Sequence, residues 1–342
     1  MAAPFISVCL ITKDEEDFIE RCLRSVLPIA SELVIVDTGS TDRTIEICKT
    51  FGTVPHSYKW NNHFAEARNY GLSKAKGDWI LWVDADEEME GGHDDFIKGL
   101  LSETDAHMLL LPIINYYGET LPVLRDQAHL YYQPRLFRNH LGVEFVNNIH
   151  ETPLLPKGVH TERATIPADV PIHHYGYIKE VTERKNKSQR NLQSLLAAYE
   201  DPDHSPWIEY HLASELYRLK DYTASFAYVN QSILGFLLLQ LKPPSLLYRL
   251  KYALLLETNS LDGAEAGIDK ALALYPDYVD LHFLKGLILI RLEKYRKALA
   301  AFERCLALGE NHREYLITRG AGSFKALHYK QLCLQKLTGS KK

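Results

Sequence analysis

Three apolar runs near the start of the chain each end in a cluster of polar and acidic residues, and this leaves few folds open. Ile6-Ser-Val-Cys-Leu-Ile11 leads into Thr12-Lys-Asp-Glu15, Leu33-Val-Ile-Val36 into Asp37-Thr-Gly-Ser-Thr-Asp42, and Trp79-Ile-Leu-Trp-Val83 into Asp84-Ala-Asp86. Uncharged runs rich in β-branched residues read as strands buried on both faces. Between them lie segments of helical spacing. Asp14 to Leu27 carries Phe18, Ile19, Cys22, Leu23 and Val26, and the next has Thr41 or Asp42 as N-cap and Ile45, Ile47, Cys48 and Phe51 inside. A third helix is expected from Phe64 to Ala75, with a short strand at Val54 to Tyr58 and another at Ala106 to Ile114. Such alternation predicts an α/β domain, a mainly parallel sheet with helices on both faces. Ligands of these sheets bind beyond the carboxyl ends of the strands, where all three polar clusters fall.

Residues 115–178 are rich in Tyr, His, Pro and Asn, with strand-like pieces at Leu130-Tyr-Tyr132 and Arg135-Leu-Phe137, and read as the acceptor half of the same domain. From about Lys179 the pattern becomes all-α. Gly286, Ala298, Phe302, Cys305 and Glu310 each lie 34 residues after Tyr252, Ala264, Ile268, Ala271 and Pro276. A 34-residue period is that of tetratricopeptide helix pairs, in which small residues let two helices approach and aromatics fill the gap. An earlier copy fits Pro206 to Leu234, with Ala213, Tyr217, Tyr222 and Ser225 in the small and aromatic slots. One more step of 34 lands on Gly320, expected to open a last helix pair. The expected division is 1–178 and 179–342.

Bulk properties narrow the function. With 39 basic against 44 acidic residues the net charge is −5, which leaves no electrostatic footprint for nucleic acid. Five scattered cysteines without a C-x-x-C pair read as buried thiols in a reducing compartment. The N-terminus has no basic segment of a signal peptide, and the longest apolar run, Ile233 to Leu239, is too short for a membrane span. These readings predict a cytoplasmic protein.

The chemistry-bearing motif is Asp84-Ala-Asp86. Alternate residues of an extended chain face one side, so two carboxylates there can hold a hard divalent cation, Mn2+ or Mg2+, and share it with a diphosphate. The plainer reading is an acidic strand-to-helix loop, reinforced by Glu87, Glu88 and Glu90. Arg135 and Arg138 could pair with phosphate or acceptor groups, because arginine forks match oxyanions. For Arg138 a solvated strand edge is the preferred reading. No P-loop, H-E-x-x-H or G-x-S-x-G motif occurs.

Val8-Cys-Leu-Ile-Thr-Lys-Asp-Glu15, Val34-Ile-Val-Asp-Thr-Gly-Ser-Thr-Asp42, Ala67-Arg-Asn-Tyr-Gly71 and Trp82-Val-Asp-Ala-Asp86 resemble, in order, the signatures of family 2 glycosyltransferases, which have the GT-A fold. With its tetratricopeptide tail the chain is similar to bacterial members, including sublancin-type peptide S-glycosyltransferases. The resemblance implies a metal-dependent, inverting glycosyltransferase using a nucleotide-sugar donor, most commonly UDP-linked. On its motifs, Thr12 and Glu15 border the nucleoside and Asp37 accepts from the base. Arg68 and Asn69 approach the base or diphosphate. Asp84, in the DXD motif, lies near ribose and metal, and Asp86 binds the metal. Asn147-Asn-Ile-His150-Glu151 resembles the late His-Glu element, with Glu151 as general base, although many members carry a Glu-Asp pair instead. In His173-His174-Tyr-Gly-Tyr177, His174 rather than His173 is the expected third metal ligand. Asp37 could instead cap the turn at Gly39 to Asp42, and Arg68 could be a solvated helix residue.

The repeats suit a peptide, protein or saccharide acceptor, or could simply buttress the domain or form a homodimer. A sugar-1-phosphate nucleotidyltransferase would need a glycine-rich loop after the first strand, and Thr12-Lys-Asp-Glu-Glu16 has no glycine. The remaining alternative is an inactive transferase-like domain acting as a nucleotide-binding or protein-interaction scaffold.

Overall fold

The β-branched and leucine-rich runs of the first hundred residues form the centre of a sheet. The computed structural model describes residues 4–147, 151–159, 163–167, 169–178 and 187–339. The chain divides into two compact units, Met1–Val123 with Tyr132–Val181, and Leu124–Tyr131 with Thr182–Lys342. The sequence reading had assigned 124–131 to the first domain.

In the first unit, β1 (Ile6–Thr12) pairs in parallel with β2 (Glu32–Asp37) and β4 (Trp79–Trp82), and β2 with the two-residue β3 (His56–Ser57). The register sets Thr12 beside Asp37, Asp37 beside Ser57, and Cys9 beside Trp82, so the polar clusters do share one edge. Helices α1 (Ile19–Val26), α2 (Thr44–Thr50), α3 (Phe64–Leu72) and α4 (Asp94–Glu103) alternate with these strands. The first helix starts at Ile19 rather than Asp14 because Asp14 has φ 52° and its carboxylate accepts from Thr41 N at 2.7 Å. The N-cap of α2 is Arg43 rather than Thr41 or Asp42; Asp42, just ahead of it, accepts from Thr44 N at 2.9 Å and from Glu16 N at 3.0 Å. These contacts tie the loops after β1 and β2 together.

Beyond Glu103 the sheet is mixed rather than parallel. After β5 (Glu87–Met89) come β6 (Met108–Gly118), β7 (Ala128–Arg138), the hairpin β8 (Glu144–Val146) with β9 (Thr152–Leu154), β10 (Arg163–Thr165) and β11 (Ile172–Ile178). β4 runs antiparallel to β7 and β11 antiparallel to β5, while β11 and β10 are parallel to β6. Parallel neighbours need a long crossover, usually a helix; among the described residues 104–178 no helix intervenes, and β6 reaches its parallel partners β10 and β11 through other strands and loops. The two strand-like pieces at 130–132 and 135–137 belong to the single strand β7.

The second unit is helical: α5 (Lys187–Tyr199), α6 (Trp207–Arg218), α7 (Tyr222–Leu238), α8 (Ser245–Glu257), α9 (Ala264–Leu274), α10 (Val279–Arg291), α11 (Tyr295–Leu308) and α12 (Phe324–Gly339). The starts of α8 and α10, Ser245 and Val279, are 279 − 245 = 34 residues apart. The small-slot residues Ala213, Ser225, Ala264, Ala271 and Ala298 are all buried. At Gly286 an added Cβ would lie 2.5 Å from the Phe302 ring, so glycine is what permits that approach. Gly320 departs from expectation. It sits in a turn at φ 92°, donates to Glu310 Oε1 at 2.9 Å, and precedes one helix rather than a pair. Within the unit, Arg249 bonds Asp280 at 2.7 Å and Thr318 at 3.1 Å and lies 3.3 Å from His129 Nδ1. β12 (Ile317–Thr318) pairs with Leu130 and His129. All five cysteines are buried free thiols, and among the described residues no helix is long and apolar enough to cross a membrane.

Candidate functional site

A chain of charges gathers around Asp84, just beyond the carboxyl end of β4. Arg68, on α3 and 6% exposed, donates through Nε to Glu151 Oε1 at 2.7 Å and through Nη2 to Asp84 Oδ1 at 2.5 Å. Arg135, on β7 and equally buried, donates to Glu87 Oε1 at 2.5 Å and lies 3.6 Å from Asp84 Oδ2. Both guanidinium groups cover the Trp82 ring, at 4.4 and 3.7 Å from its centroid. The arrangement is Glu151–Arg68–Asp84–Arg135–Glu87, with a tryptophan as its floor. Arg68 is therefore an ion-pair hub, not a solvated helix residue. His150 lies outside the described residues.

Burial works on the two acids in one direction and the arginines in the other. For Asp84, burial alone would raise the pKa, but Arg68 and then Arg135 bring it down to about 2. For Glu87, burial is the largest influence and wins over Arg135, lifting the carboxyl to about 7.

The second assembly is Asp86 with His174. The antiparallel pairing of β11 with β5 and its parallel pairing with β6 set His174 beside Glu87 and Asn115. His174 Nδ1 lies 2.5 Å from Asn115 Oδ1, and Nε2 lies 3.4 Å from Asp86 Oδ1. Burial opposes the imidazolium, but Asp86, with Glu87 and Asp84, holds its pKa above the ordinary value. His173 points to Tyr116 Oη at 2.9 Å and Glu90 at 2.8 Å, away from Asp86.

Two ligands cis on one cation with bonds of about 2.1 Å sit about 3 Å apart, close to the Asp86–His174 spacing. Asn115, holding Nδ1 of His174, fixes the ring so that Nε2 faces Asp86, as the hydrogen-bond partner of a metal-ligating imidazole ordinarily does. The pair therefore fits a divalent cation. Asp84 does not complete the expected three-residue set, because its oxygens face the two arginines. Among the described residues no three His, Cys, Asp or Glu side chains assemble as a metal site.

The nucleoside-side residues divide. Thr12 is 3% exposed, and its buried Oγ1 has no hydrogen-bond partner among the described residues, nor has Nη1 of Arg135. Buried unmet donors are what a bound ligand or water would satisfy. Asp37 accepts from Gly39 N at 3.0 Å and Ser40 N at 3.1 Å, so its turn role is realised. A carboxylate has about four acceptor sites, which leaves capacity for a base. The carbonyl of Glu15, in the turn ahead of α1, accepts from Phe18 N and Ile19 N at 2.9 Å. Asn69 is used elsewhere. Its amide exchanges two bonds with the Phe145 backbone, at 2.9 and 2.8 Å, and pins β8 to α3. Arg138 is not a solvated edge either, because it donates to the carbonyls of Thr104 and Ala106 and covers Trp79.

Glu87 and Trp82 were not singled out from the sequence. Arg135 reaches them through the pairing of β4 with β7 and Arg68 from the helix α3, contacts that no local spacing signals.

Residues 7–154 match glycosyl transferase family 2, and residues 279–312 match a tetratricopeptide repeat. The N-terminal unit carries a family 2 glycosyltransferase domain. A TPR repeat-containing protein of Synechococcus elongatus is 29% identical over 286 residues, covering 80% of this chain and 67% of that protein. Glycosyltransferase SunS of Bacillus phage SPbeta is 28% identical over 239 residues, covering 67% of this chain and 53% of SunS, so the chain spans about half the length of that relative. An uncharacterized glycosyltransferase of Rickettsia bellii is 38% identical over 156 residues, 43% of this chain and 50% of that one. The crystal structure of S. aureus TarS 1-349 aligns over 98% of this chain and 92% of its own with 14% identity and a TM-score of 0.39. The family 2 domain thus contains the four motifs, the charge chain and the Asp84–Asp86 turn.

Proposed function

We propose that this chain is a metal-dependent inverting glycosyltransferase that moves a sugar from a nucleoside diphosphate sugar, UDP-linked in the first instance, to a peptide or protein acceptor held by the repeats. The observation that carries this reading is the meeting of Asp86 with His174 next to the Glu151–Arg68–Asp84 chain at the strand ends. Asp86 and His174 would hold Mn2+ or Mg2+, with the diphosphate and water completing its shell. The chemistry such a cation would supply is neutralisation of charge on the departing diphosphate. Thr12 and Asp37 would receive the nucleoside. Asp84, kept ionised by the two arginines, would accept from the ribose hydroxyls. Glu151, oriented by Arg68, would take the proton from the acceptor hydroxyl or thiol as that atom attacks the anomeric carbon from the face opposite the diphosphate. One displacement of that kind inverts the configuration. The resemblance to peptide S-glycosyltransferases makes cysteine-containing peptides the first acceptors to try.

The test is calorimetric titration with UDP, GDP and dTDP, each with and without manganese. One diphosphate is expected to bind in a manganese-dependent way, and Asp86→Ala to abolish this. Glu151→Gln should keep the binding and lose sugar transfer. No binding to the folded protein would refute the donor site and favour the scaffold reading.

A further inference from the structure

Of the twenty tyrosines only Tyr177 is exposed, at 38%. It lies near the end of β11, three residues after His174. Side chains three apart on a regular strand point to opposite faces of the sheet. Here the pairing with β6 slips. His174 lies beside Asn115 and Tyr177 beside Tyr117, so three steps along β11 match two along β6. One extra residue in a strand is a β-bulge, and a bulge re-aims the side chains that follow it. This one returns Tyr177 to the face of His174, and the two rings meet edge to face with centroids 5.1 Å apart. Tyr175, inside the bulge, shows the other face. Its ring stacks on Tyr116 at 5.4 Å, and its hydroxyl donates to Glu88 at 2.9 Å. The Tyr175 N–H donates to the carbonyl of Asp86 at 3.2 Å, which fastens the bulge to the Asp84–Asp86 turn.

We propose that Tyr177 contacts the sugar of the donor and helps to select it. The inference rests on the reading that Asp86 and His174 hold a cation and, through it, a diphosphate. A donor diphosphate has a nucleoside at one end and a sugar at the other. Strand order in the sheet runs β2, β1, β4, β7, β6, β11. Thr12 and Asp37, the nucleoside residues, end β1 and β2 and lie to one side of Asp84, while Tyr177 lies to the other. The end of the diphosphate toward Tyr177 is therefore the sugar's. Tyr117, its neighbour on β6, presents to the same face. Tyrosine combines an apolar ring with a polar tip. A pyranose has the matching pattern, C–H groups on its faces and hydroxyls on its rim, and small-molecule sites commonly join aromatic walls to a few polar groups.

Calorimetric titration in manganese tests this without any transfer reaction. The ligands are UDP, GDP and dTDP, each alone and as its glucose conjugate. The diphosphate alone reports the nucleoside and cation contacts, and the ratio of the conjugate's dissociation constant to that of the diphosphate isolates the sugar. Tyr177→Ala should leave binding of the diphosphate unchanged and raise the ratio about threefold to tenfold, the range of one aromatic contact. Tyr177→Phe, which keeps the ring, should restore the wild-type ratio. If Tyr177→Ala does not fold, Tyr177→Leu, which keeps the bulk without the flat ring, takes its place. An unchanged ratio in the alanine or leucine variant overturns the proposal. So does an equal loss of diphosphate and conjugate, which would make the ring a support for His174. A wild-type chain that binds none of the diphosphates sinks the donor reading itself, and this inference with it.

Discussion

Replacing Arg68 by methionine keeps a long side chain over Trp82 but deletes the charge between Asp84 and Glu151. Arg68 makes bonds of 2.5 and 2.7 Å to carboxylates whose side chains are 30% and 12% exposed. Hydrogen bonds to charged groups contribute about 1.5–3 kcal/mol each, and removing one partner of a buried pair costs about 3–5 kcal/mol. Arg135 still faces Asp84 at 3.6 Å, so the lower end, about 3 kcal/mol, is expected. Linkage gives a similar size. Asp84 is held at about 2 against 3.8, and that depression corresponds to roughly 2 kcal/mol. A lowered acid contributes fully above its unfolded pKa and loses the contribution as pH falls through its folded one. At pH 7 the whole deficit is therefore on display. Urea unfolding followed by tryptophan fluorescence reads the first unit, which holds Trp60, Trp79 and Trp82 of the four tryptophans. Because the cost lies in the stranded carboxylate, Arg68→Met with Glu151→Gln should be more stable than Arg68→Met alone. A single variant within 1 kcal/mol of wild type, or a double variant whose losses simply add, would refute this account.

Two further outcomes follow from the second unit. Gly286→Ala places a methyl 2.5 Å from the Phe302 ring. Overpacking should outweigh the gain in helix propensity by about 1–2 kcal/mol, and a thermal melt as high as wild type would contradict that. His129 has its pKa pushed well below the ordinary value by burial, then by Arg249 and Lys325. A depressed histidine is neutral in the fold while the unfolded chain takes up a proton. Its contribution is therefore present above pH 6.5 and is lost as pH falls below that. Between pH 6.5 and 5, wild type should lose up to about 1.4 kcal/mol per pH unit relative to His129→Gln. Parallel stability curves for the two proteins in urea would count against it.

Local periodicity explains what could be read in advance. β1, β2 and β4 are continuous apolar runs, and Gly286, Ala298 and Phe302 repeat at 34 residues because each repeat buries the same slots. The Asp84–Asp86 turn was legible because it follows a buried strand. The charge chain was not, since Arg68 reaches Glu151 across 83 positions and Arg135 reaches Glu87 across 48. Asn69 sits in a donor-site motif, yet its amide is committed to Phe145 by a tertiary contact no motif encodes. The antiparallel entry of β7 was hidden for a related reason. A buried strand looks the same in sequence whichever way its neighbour runs.

The membership of Leu124–Tyr131 in the second unit has a practical meaning for anyone wishing to express the halves separately. The polypeptide passes from one unit to the other three times, so no single cut divides them. A fragment ending at 178 carries Asp126, His129 and Leu130 away from Lys325, Arg249 and Ile317, the groups they meet in the intact chain. A fragment starting at 179 leaves Ile317 and Thr318 without the strand they pair with, and Arg249 without one of its neighbours. Neither piece is a fair sample of its unit. A helical fragment that behaves poorly in isolation would be reporting the missing segment Leu124–Tyr131, not a repeat array that cannot fold.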